Sequence, residues 1–388
     1  MMTTAIREYD LIVIGGGCAG LSLARSLIQK GSPLRVLIVE SRSIYFDDRT
    51  WCFWGRANHL LRNLEEKSWD AWQFSVLGAA PHLHRPRNDL AYRCIRSGTF
   101  YEHAQREIER CPNVSLRLSV DVDACWRDSE TVTVATDEGD FYSRWVVDTR
   151  PNPIVSNEPR FGQYFCGAEI EAERDIFDEH VAQIMMDMQH DDHGFRFTYL
   201  LPFSKRRALI EETRFCNAVS QDQLEQDLSQ AIAGRLKGVA FCERRREEGF
   251  IPMGISRRSA SEDAFIFNAG VAAGAVRPST GYAFSRIQNW ALSCASALSQ
   301  GAGPLSHAAD PAWIRWIDQL FLKVIQDSRN DVPEIFSCLA RGMQPDHFVR
   351  FLSDNVMVSD FVRAIHALPK KPFLAGLAVL PEFKWLKR

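Results

Sequence analysis

The sequence offers little to metal, disulfide or nucleic-acid chemistry. Its ten cysteines (Cys18, Cys52, Cys94, Cys111, Cys125, Cys166, Cys216, Cys242, Cys294 and Cys338) are scattered, with no C-x-x-C pair among them. That spacing argues against a zinc site and against a secreted disulfide framework, and suits a reducing cytoplasm. A net charge of −3 over 388 residues leaves no basic surplus for nucleic acid. No run reaches the roughly 18 consecutive apolar residues of a spanning helix. Strand-forming residues begin by Tyr9, so no secretory signal peptide is expected. The chain is therefore expected in the cytoplasm, free or lying on a membrane surface. His190-Asp191-Asp192-His193 has metal-ligand residue types but reads as a polar loop, and no metal is expected.

What is present is organised around Tyr9 to Glu40. Tyr9 to Ile14 is a short apolar run of the kind that makes a strand buried on both faces. Gly15, Gly17 and Gly20 follow as G-x-G-x-x-G, Leu21 to Lys30 reads as a helix, and Arg35 to Val39 as a second strand ending in Glu40. In this fingerprint the first glycine permits the tight turn and the second lets a pyrophosphate approach the backbone. The third lets helix pack on strand, and the terminal acid accepts from a ribose hydroxyl. The helix N-terminus would face the phosphates. Strand, glycines, helix, second strand and acid occur in the required order, so an adenine dinucleotide is expected.

Further along, Thr50-Trp51-Cys52-Phe53-Trp54 is expected in a loop bordering the cofactor crevice, where the aromatics either face a ligand or pack beneath the loop. Arg49 before it, and Asp148 at the end of the strand Arg144 to Asp148, are assigned to the cofactor side. Residues 161 to 258 alternate in strand fashion around one helix, Gln221 to Leu236, which suggests an inserted antiparallel sheet. Glu243 to Glu248 (Glu-Arg-Arg-Arg-Glu-Glu) reads as a solvated turn. Phe265 to Gly270 returns as a buried strand. The Gly-rich stretch Gly274 to Gly281 leads into a second helix, as a two-part FAD site needs. Gly274, Pro278, Thr280 and Gly281 are therefore placed at the flavin end. From Pro311 the chain is helical. Trp313, Ile317, Leu320, Phe321 and Val324 share one face, which either packs on the body or docks on a membrane.

The expected architecture is α/β: a Rossmann-like, glutathione-reductase-like FAD-binding domain, an inserted antiparallel β-rich substrate domain and a C-terminal helical region. The corresponding segments are 1–154 and 260–306 for FAD, 155–259 for substrate, and 307–388 for the helices.

Over nearly its whole length the chain resembles the FAD-dependent lycopene cyclases of bacteria and plants. The resemblance is carried by Thr50 to Trp54, Val147 to Arg150, Gln163 to Gly167, Glu211-Glu212-Thr213-Arg214 and Gly274 to Tyr282. It implies redox-neutral cyclisation of a linear carotenoid end to a β-ionone ring, with bound reduced FAD and NADPH as the reductant. It also implies a peripheral place on the cytoplasmic membrane. Protonating an alkene needs a carboxyl kept protonated in an apolar pocket. Glu211 and Glu212 are the candidates and, adjacent on a strand, point to opposite faces. Glu211 is favoured as the acid, with Glu212 anchoring nearby basic groups. Trp51, Phe53, Trp54 and Tyr282 would shelter the carbocation. Two other readings stay open: an FAD-dependent monooxygenase or oxidoreductase acting on an apolar isoprenoid or aromatic substrate, and a flavin-binding lipid carrier without turnover.

Overall fold

Leu11 to Ile14 have no polar side chain and must be covered on both faces, which a central parallel strand provides. A computed structural model describes residues 8–151, 160–254, 263–328, 331–353 and 356–379. The expected boundaries near 154 and 259 lie outside the described residues.

The chain opens with β1 (Tyr9–Ile14), α1 (Cys18–Gln29) and β2 (Val36–Glu40). Helix α1 starts at Cys18, inside the glycine motif and earlier than its apolar periodicity predicts. Next come β3 (Thr50–Gly55), β4 (Glu65–Trp69), β5 (Ala71–Val76), β6 (His82–His84) and β7 (Ala91–Arg96). The aromatic segment expected as a loop is thus strand β3, paired antiparallel with β7. Its alternating, β-favouring residues outweigh its position after β2. Then follow α2 (Ser97–Glu109), β8 (Val114–Leu118), and a meander of β9 (Val122–Asp128), β10 (Thr131–Thr136) and β11 (Gly139–Asp148).

The second half begins with β12 (Gly162–Ala172), β13 (Val181–Asp191), β14 (Gly194–Pro202) and β15 (Arg207–Cys216). It continues through α3 (Gln221–Leu236), β16 (Phe241–Pro252), β17 (Ile266–Asn268) and α4 (Phe284–Ser299). Five helices close the described chain: α5 (Ala312–Asp327), α6 (Val332–Gly342), α7 (Pro345–Leu352), α8 (Val358–Ala367) and α9 (Lys370–Val379). Among the described residues no helix is long and apolar enough to cross a membrane.

The first sheet runs β8-β2-β1-β11-β10-β9, with β17 also paired to β11. Helices α1, α2 and α4 share a core on one face, and the other face forms its own core with the meander. The second sheet runs β16-β12-β15-β14-β13-β5-β6. It is antiparallel except where β5 joins β13 in parallel, so residues 71–84 complete it from outside the segment that alternation singled out. Helix α3 covers one face, packing on Cys166, Ala168, Ile170 and Ile210. The opposite face meets α5 to α8 through Phe195, Phe197, Phe215 and Phe336. Burying each of these phenylalanines contributes roughly 2 kcal/mol. The face expected on α5 differs by one residue: Ile314 is buried, whereas Trp313 is 38% exposed.

A polar clamp fastens α5 to the second glycine-rich turn. Arg277 donates to Asp318 Oδ1 (3.3 Å) and to the carbonyls of Phe351 (2.6 Å) and Ser353 (2.8 Å), while Ser279 Oγ donates to Asp318 Oδ1 at 2.6 Å. Both charges are buried. Asp318→Ala leaves the guanidinium buried without its carboxylate and should cost ~3–5 kcal/mol, read as a lowered denaturant midpoint. An unchanged midpoint would show that the clamp contributes nothing.

Candidate active site

The glycine turn has the geometry of a dinucleotide cradle. Gly15 adopts φ +96°, a conformation that favours glycine. A Cβ on Gly20 would lie 2.0 Å from the Gly15 carbonyl, so that glycine is fixed by helix–strand packing. A Cβ on Gly17 would meet nothing within 4 Å: the backbone there is open to an approaching group. Glu40 ends β2 beside the turn and accepts from Gly16 N–H at 2.7 Å and from Arg42 Nε at 2.9 Å. Burial would raise its pKa, but Arg42 and the Gly16 amide hold it below the usual carboxylate range. Tyr45 Oη donates to the Gly16 carbonyl (2.9 Å), and its ring stacks on Tyr101.

Asp148 is the predicted residue that the structure turns away. Its carboxylate takes Arg150 Nη2 at 2.9 Å and Nε at 3.1 Å. Alternation along β11 instead sends Thr149 to the turn, where its hydroxyl donates to the Ile14 and Gly15 carbonyls at 3.0 Å.

A cavity of about 210 Å³ lies where the second sheet meets the second glycine-rich turn. Arg49, Trp51, Thr280, Gly281, Tyr282 and Glu211 border it. Gly281 has φ +75°, and Gln163 Nε2 donates to the Thr280 carbonyl (3.1 Å), tying sheet to turn. Pro278 contributes through its carbonyl, which takes Gly254 N–H at 3.1 Å. Gly274 has φ +92°, and a Cβ there would meet nothing within 4 Å. Trp51 stacks on Phe284 at 5.4 Å between centroids. Phe53, one pleat further, is core: it stacks on Phe284 from the side of Leu61 and Leu64 and does not border the cavity.

Trp54 points the other way again and stacks on Tyr282 (5.4 Å, 15° between planes). These two rings line a second, smaller apolar cavity of about 70 Å³, which shares Gln163, Tyr199, Thr280 and Tyr282 with the first. Phe321 is in turn shared with an apolar groove of about 310 Å³ between α5, α7, α8 and α9. The acid-bearing cavity and the aromatic one thus share four lining residues, and the aromatic one and the groove share Phe321.

Glu211 and Glu212 occupy opposite faces of β15. Glu211 faces the cavity, half-buried, with Thr213 Oγ1 donating to it at 3.2 Å. Burial and then the neighbouring Glu247 carboxylate push its pKa well above the usual range. Glu212 faces α3 and is 3% exposed. It accepts from Thr198 Oγ1 and lies 3.8 Å from Arg196, in a network that also joins Arg214 to Asp227 (2.5 Å) and Asp191 (2.7 Å). Burial raises its pKa to about 7 against the pull of Thr198 and Arg196.

Glu247 is the site residue that sequence reading missed. The charged run at 243–248 is part of β16, not a solvated turn. Arg245 and Glu247 point inward, while Glu243, Arg244, Arg246 and Glu248 are exposed. The signal was available in the period-two spacing of Arg245, Glu247 and Ile251, leading to the apolar Phe250-Ile251. Glu247 accepts from Thr50 Oγ1 and from Arg245 Nη1, each at 2.8 Å.

The model of the lycopene cyclase protein family matches residues 10–377. The chain belongs to the lycopene cyclase family. It is 26% identical over 405 residues to a lycopene beta-cyclase of Pantoea ananas, covering 96% of this chain and 98% of that protein. It is 25% identical to a lycopene beta-cyclase of Pseudescherichia vulneris, covering 94% and 95% respectively. Solved structures show the fold of this lycopene cyclase family chain to be that of flavin-dependent oxidoreductases and monooxygenases. A geranylgeranyl bacteriochlorophyll reductase-like protein of Thermoplasma acidophilum superposes with a TM-score of 0.63 at 13% identity, over 96% of this chain and 99% of that one. p-Nitrophenol 4-monooxygenase PnpA of Pseudomonas putida gives 0.57 at 14%, over 94% and 98%. Flavin-dependent brominase Bmp2 gives 0.58 at 16%, over 89% and 93%.

The Glu212 environment predicts a pH signature. Its folded pKa lies above its unfolded one, so the stability from its bound proton is full below about pH 4.5 and lost as pH rises through about 7. Relative to Glu212→Gln, the wild type should lose up to ~3 kcal/mol between about pH 5 and pH 8, measured by chemical denaturation. A pH-independent difference would contradict this assignment.

Proposed function

We propose that the chain cyclises the linear ends of lycopene, or of a related polyene, to β-ionone rings by redox-neutral acid/base chemistry. The observation that carries this reading is the Glu211 carboxyl, biased to its protonated form at a cavity that shares Tyr199 and Tyr282 with a smaller aromatic-lined one. In the proposed reaction the Glu211 O–H bond breaks and its proton goes to the terminal double bond, leaving a tertiary carbocation. The neighbouring double bond attacks to close the ring. The ring then loses a proton to the Glu211 carboxylate, re-forming the O–H bond, and nothing is oxidised or reduced. Trp51, Trp54 and Tyr282 present aromatic faces to the cation.

The residues fit FAD. Gly15, Gly17, Gly20 and Glu40 would hold the ADP half, with the open backbone at Gly17 meeting the pyrophosphate. Gly274, Pro278, Thr280 and Gly281 would line the flavin end, with Arg49 at the same cavity. Bound in its reduced state, with NADPH as the reductant, the flavin would supply negative charge that favours a nearby cation. In this reading residues 1–154 and 260–306 form the FAD part and 155–259 the substrate part.

The helical region, 307–388, would rest on the cytoplasmic membrane, where a carotenoid dissolves. Met357, Val358 and Leu374 are 57%, 74% and 65% exposed, and Leu374 also borders the apolar groove.

Expression in cells that accumulate lycopene tests the reading. β- or γ-carotene should form, and Glu211→Gln should reduce turnover by at least ~10²-fold. Glu212→Gln should keep turnover per folded molecule within about tenfold, because Glu212 does not face the cavity. Unchanged lycopene beside soluble, flavin-loaded protein would sink the proposal. For the cofactor, Gly17→Ala should leave the stability of the flavin-free protein within ~0.5 kcal/mol. FAD binding should weaken at least ~10-fold, measured by fluorescence titration; unchanged binding would move the pyrophosphate elsewhere.

A further inference from the structure

Gly167 sits midway along β12, and its position gives the acid site a property that a single glutamate lacks. In the register of the sheet Gly167 pairs with Glu211 of β15 on one side and with Glu247 of β16 on the other. The three residues form one row across three strands, and side chains in a row project from the same face. Residues directly opposite on β15 and β16 are two strand spacings apart, about 9–10 Å. Two glutamate side chains can span that distance only by leaning over the strand between them. Any side chain on that strand would obstruct the meeting. A Cβ at residue 167 would already lie 3.0 Å from Glu211 Cβ and 3.2 Å from its Cγ. With glycine there, no side chain stands between Glu211 and Glu247 in the row.

The partners of Glu247 fix the asymmetry of the pair. Thr50 and Arg245 both donate to Glu247 Oε2, and Arg245 brings it a paired positive charge. Arg245 is itself steadied by Thr50 Oγ1 (2.6 Å) and the Asp47 carbonyl (3.2 Å). Glu211 has only the Thr213 hydroxyl as a further hydrogen-bond donor among the described residues. The other ionisable groups around it are Tyr199 of β14, Arg245 of β16, Tyr92 of β7, Tyr282, and Arg49 and Cys52 at β3. Burial keeps the Tyr199 and Tyr282 hydroxyls neutral, and Arg245 acts against protonation of Glu211. Glu247 is the one carboxylate among these groups. Two facing carboxyls that share one proton leave it on the member with fewer cationic partners.

We propose that Glu211 and Glu247 work as a single-proton carboxyl pair across the side-chain gap at Gly167, with Glu247 as the positioning residue that keeps the proton on Glu211. The proposal rests on Glu211 as the acid of the proposed cyclisation. It adds the means by which that acid is reloaded. Once Glu211 has given its proton to the alkene, two carboxylates face each other. Their repulsion makes the pair a strong enough base to take back the proton that the closed ring releases. One proton leaves the Glu211 oxygen and one returns, with no other reagent.

The test uses the full-length, FAD-loaded protein and two readouts. The carbonyl stretch of a protonated buried carboxyl, assigned by its loss in Glu211→Gln, is followed by infrared titration without substrate. The pH–rate profile of lycopene cyclisation is followed separately. In Glu247→Gln the infrared midpoint should fall by at least ~1 pH unit. The alkaline limb of the rate profile should move with it, so that turnover at about pH 8 drops ~10-fold or more while that at lower pH drops less. Glu247→Asp keeps the charge on a shorter arm and should restore part of the shift. Gly167→Ala puts a methyl group between the carboxyls and should lower the midpoint as well; these two variants carry the test if Glu247→Gln fails to fold. A midpoint unmoved in all three variants, or a rate reduced by one factor at every pH, overturns the pair. A shifted midpoint in a protein that leaves lycopene untouched supports the pair and sinks the cyclase reading instead.

Discussion

A carboxyl that must protonate an alkene has to stay protonated in neutral surroundings and still be reachable by an apolar substrate. Water and nearby cations both work against the first requirement. In the proposed cyclisation Glu211 would meet it from the inner face of a sheet, beside the Glu247 carboxylate that takes the Arg245 guanidinium. Thr213 gives the acid one neutral hydroxyl donor, and aromatic rings complete its surroundings.

The rest of the fold serves to bring this sheet up to the cofactor cradle and hold it there. Gln163 of β12 reaches the Thr280 carbonyl, and Gly254 after β16 donates to the Pro278 carbonyl. The same turn is clamped from behind by Arg277 and Asp318, which carry the α5 helix with it. Sheet, glycine turn and helical region therefore meet within a few residues of each other, and the cavities open along that junction.

The dinucleotide half was the most legible in the sequence, because its strand, glycines and terminal acid are spaced by backbone geometry alone. The opposite orientation of Glu211 and Glu212 followed equally directly from strand pleating. What failed were inferences from residue type without face. Glu243 to Glu248 read as solvated because charge is usually outside, yet period-two alternation puts Arg245 and Glu247 inside. Trp51, Phe53 and Trp54 read as one aromatic group, although the pleat puts Trp51 and Phe53 together against Phe284 and sends Trp54 to the opposite face against Tyr282. Asp148 and Thr149 exchanged places for the same reason. Glu247 could not have been paired with Glu211 from sequence, since β15 and β16 touch only through β12.

Strand β15 acts as a partition between two electrostatic compartments. Its odd residues Leu209, Glu211 and Thr213 face the cavity, while its even residues Glu212 and Arg214 face the ionic network on α3. Two chemically identical side chains, consecutive in the chain, thus carry unlike tasks solely through parity. Inserting or deleting a single residue early in β15 would exchange them. Glu211 would then face the arginines and Glu212 the cavity. The length of that strand is accordingly as constrained as the identity of any residue in it.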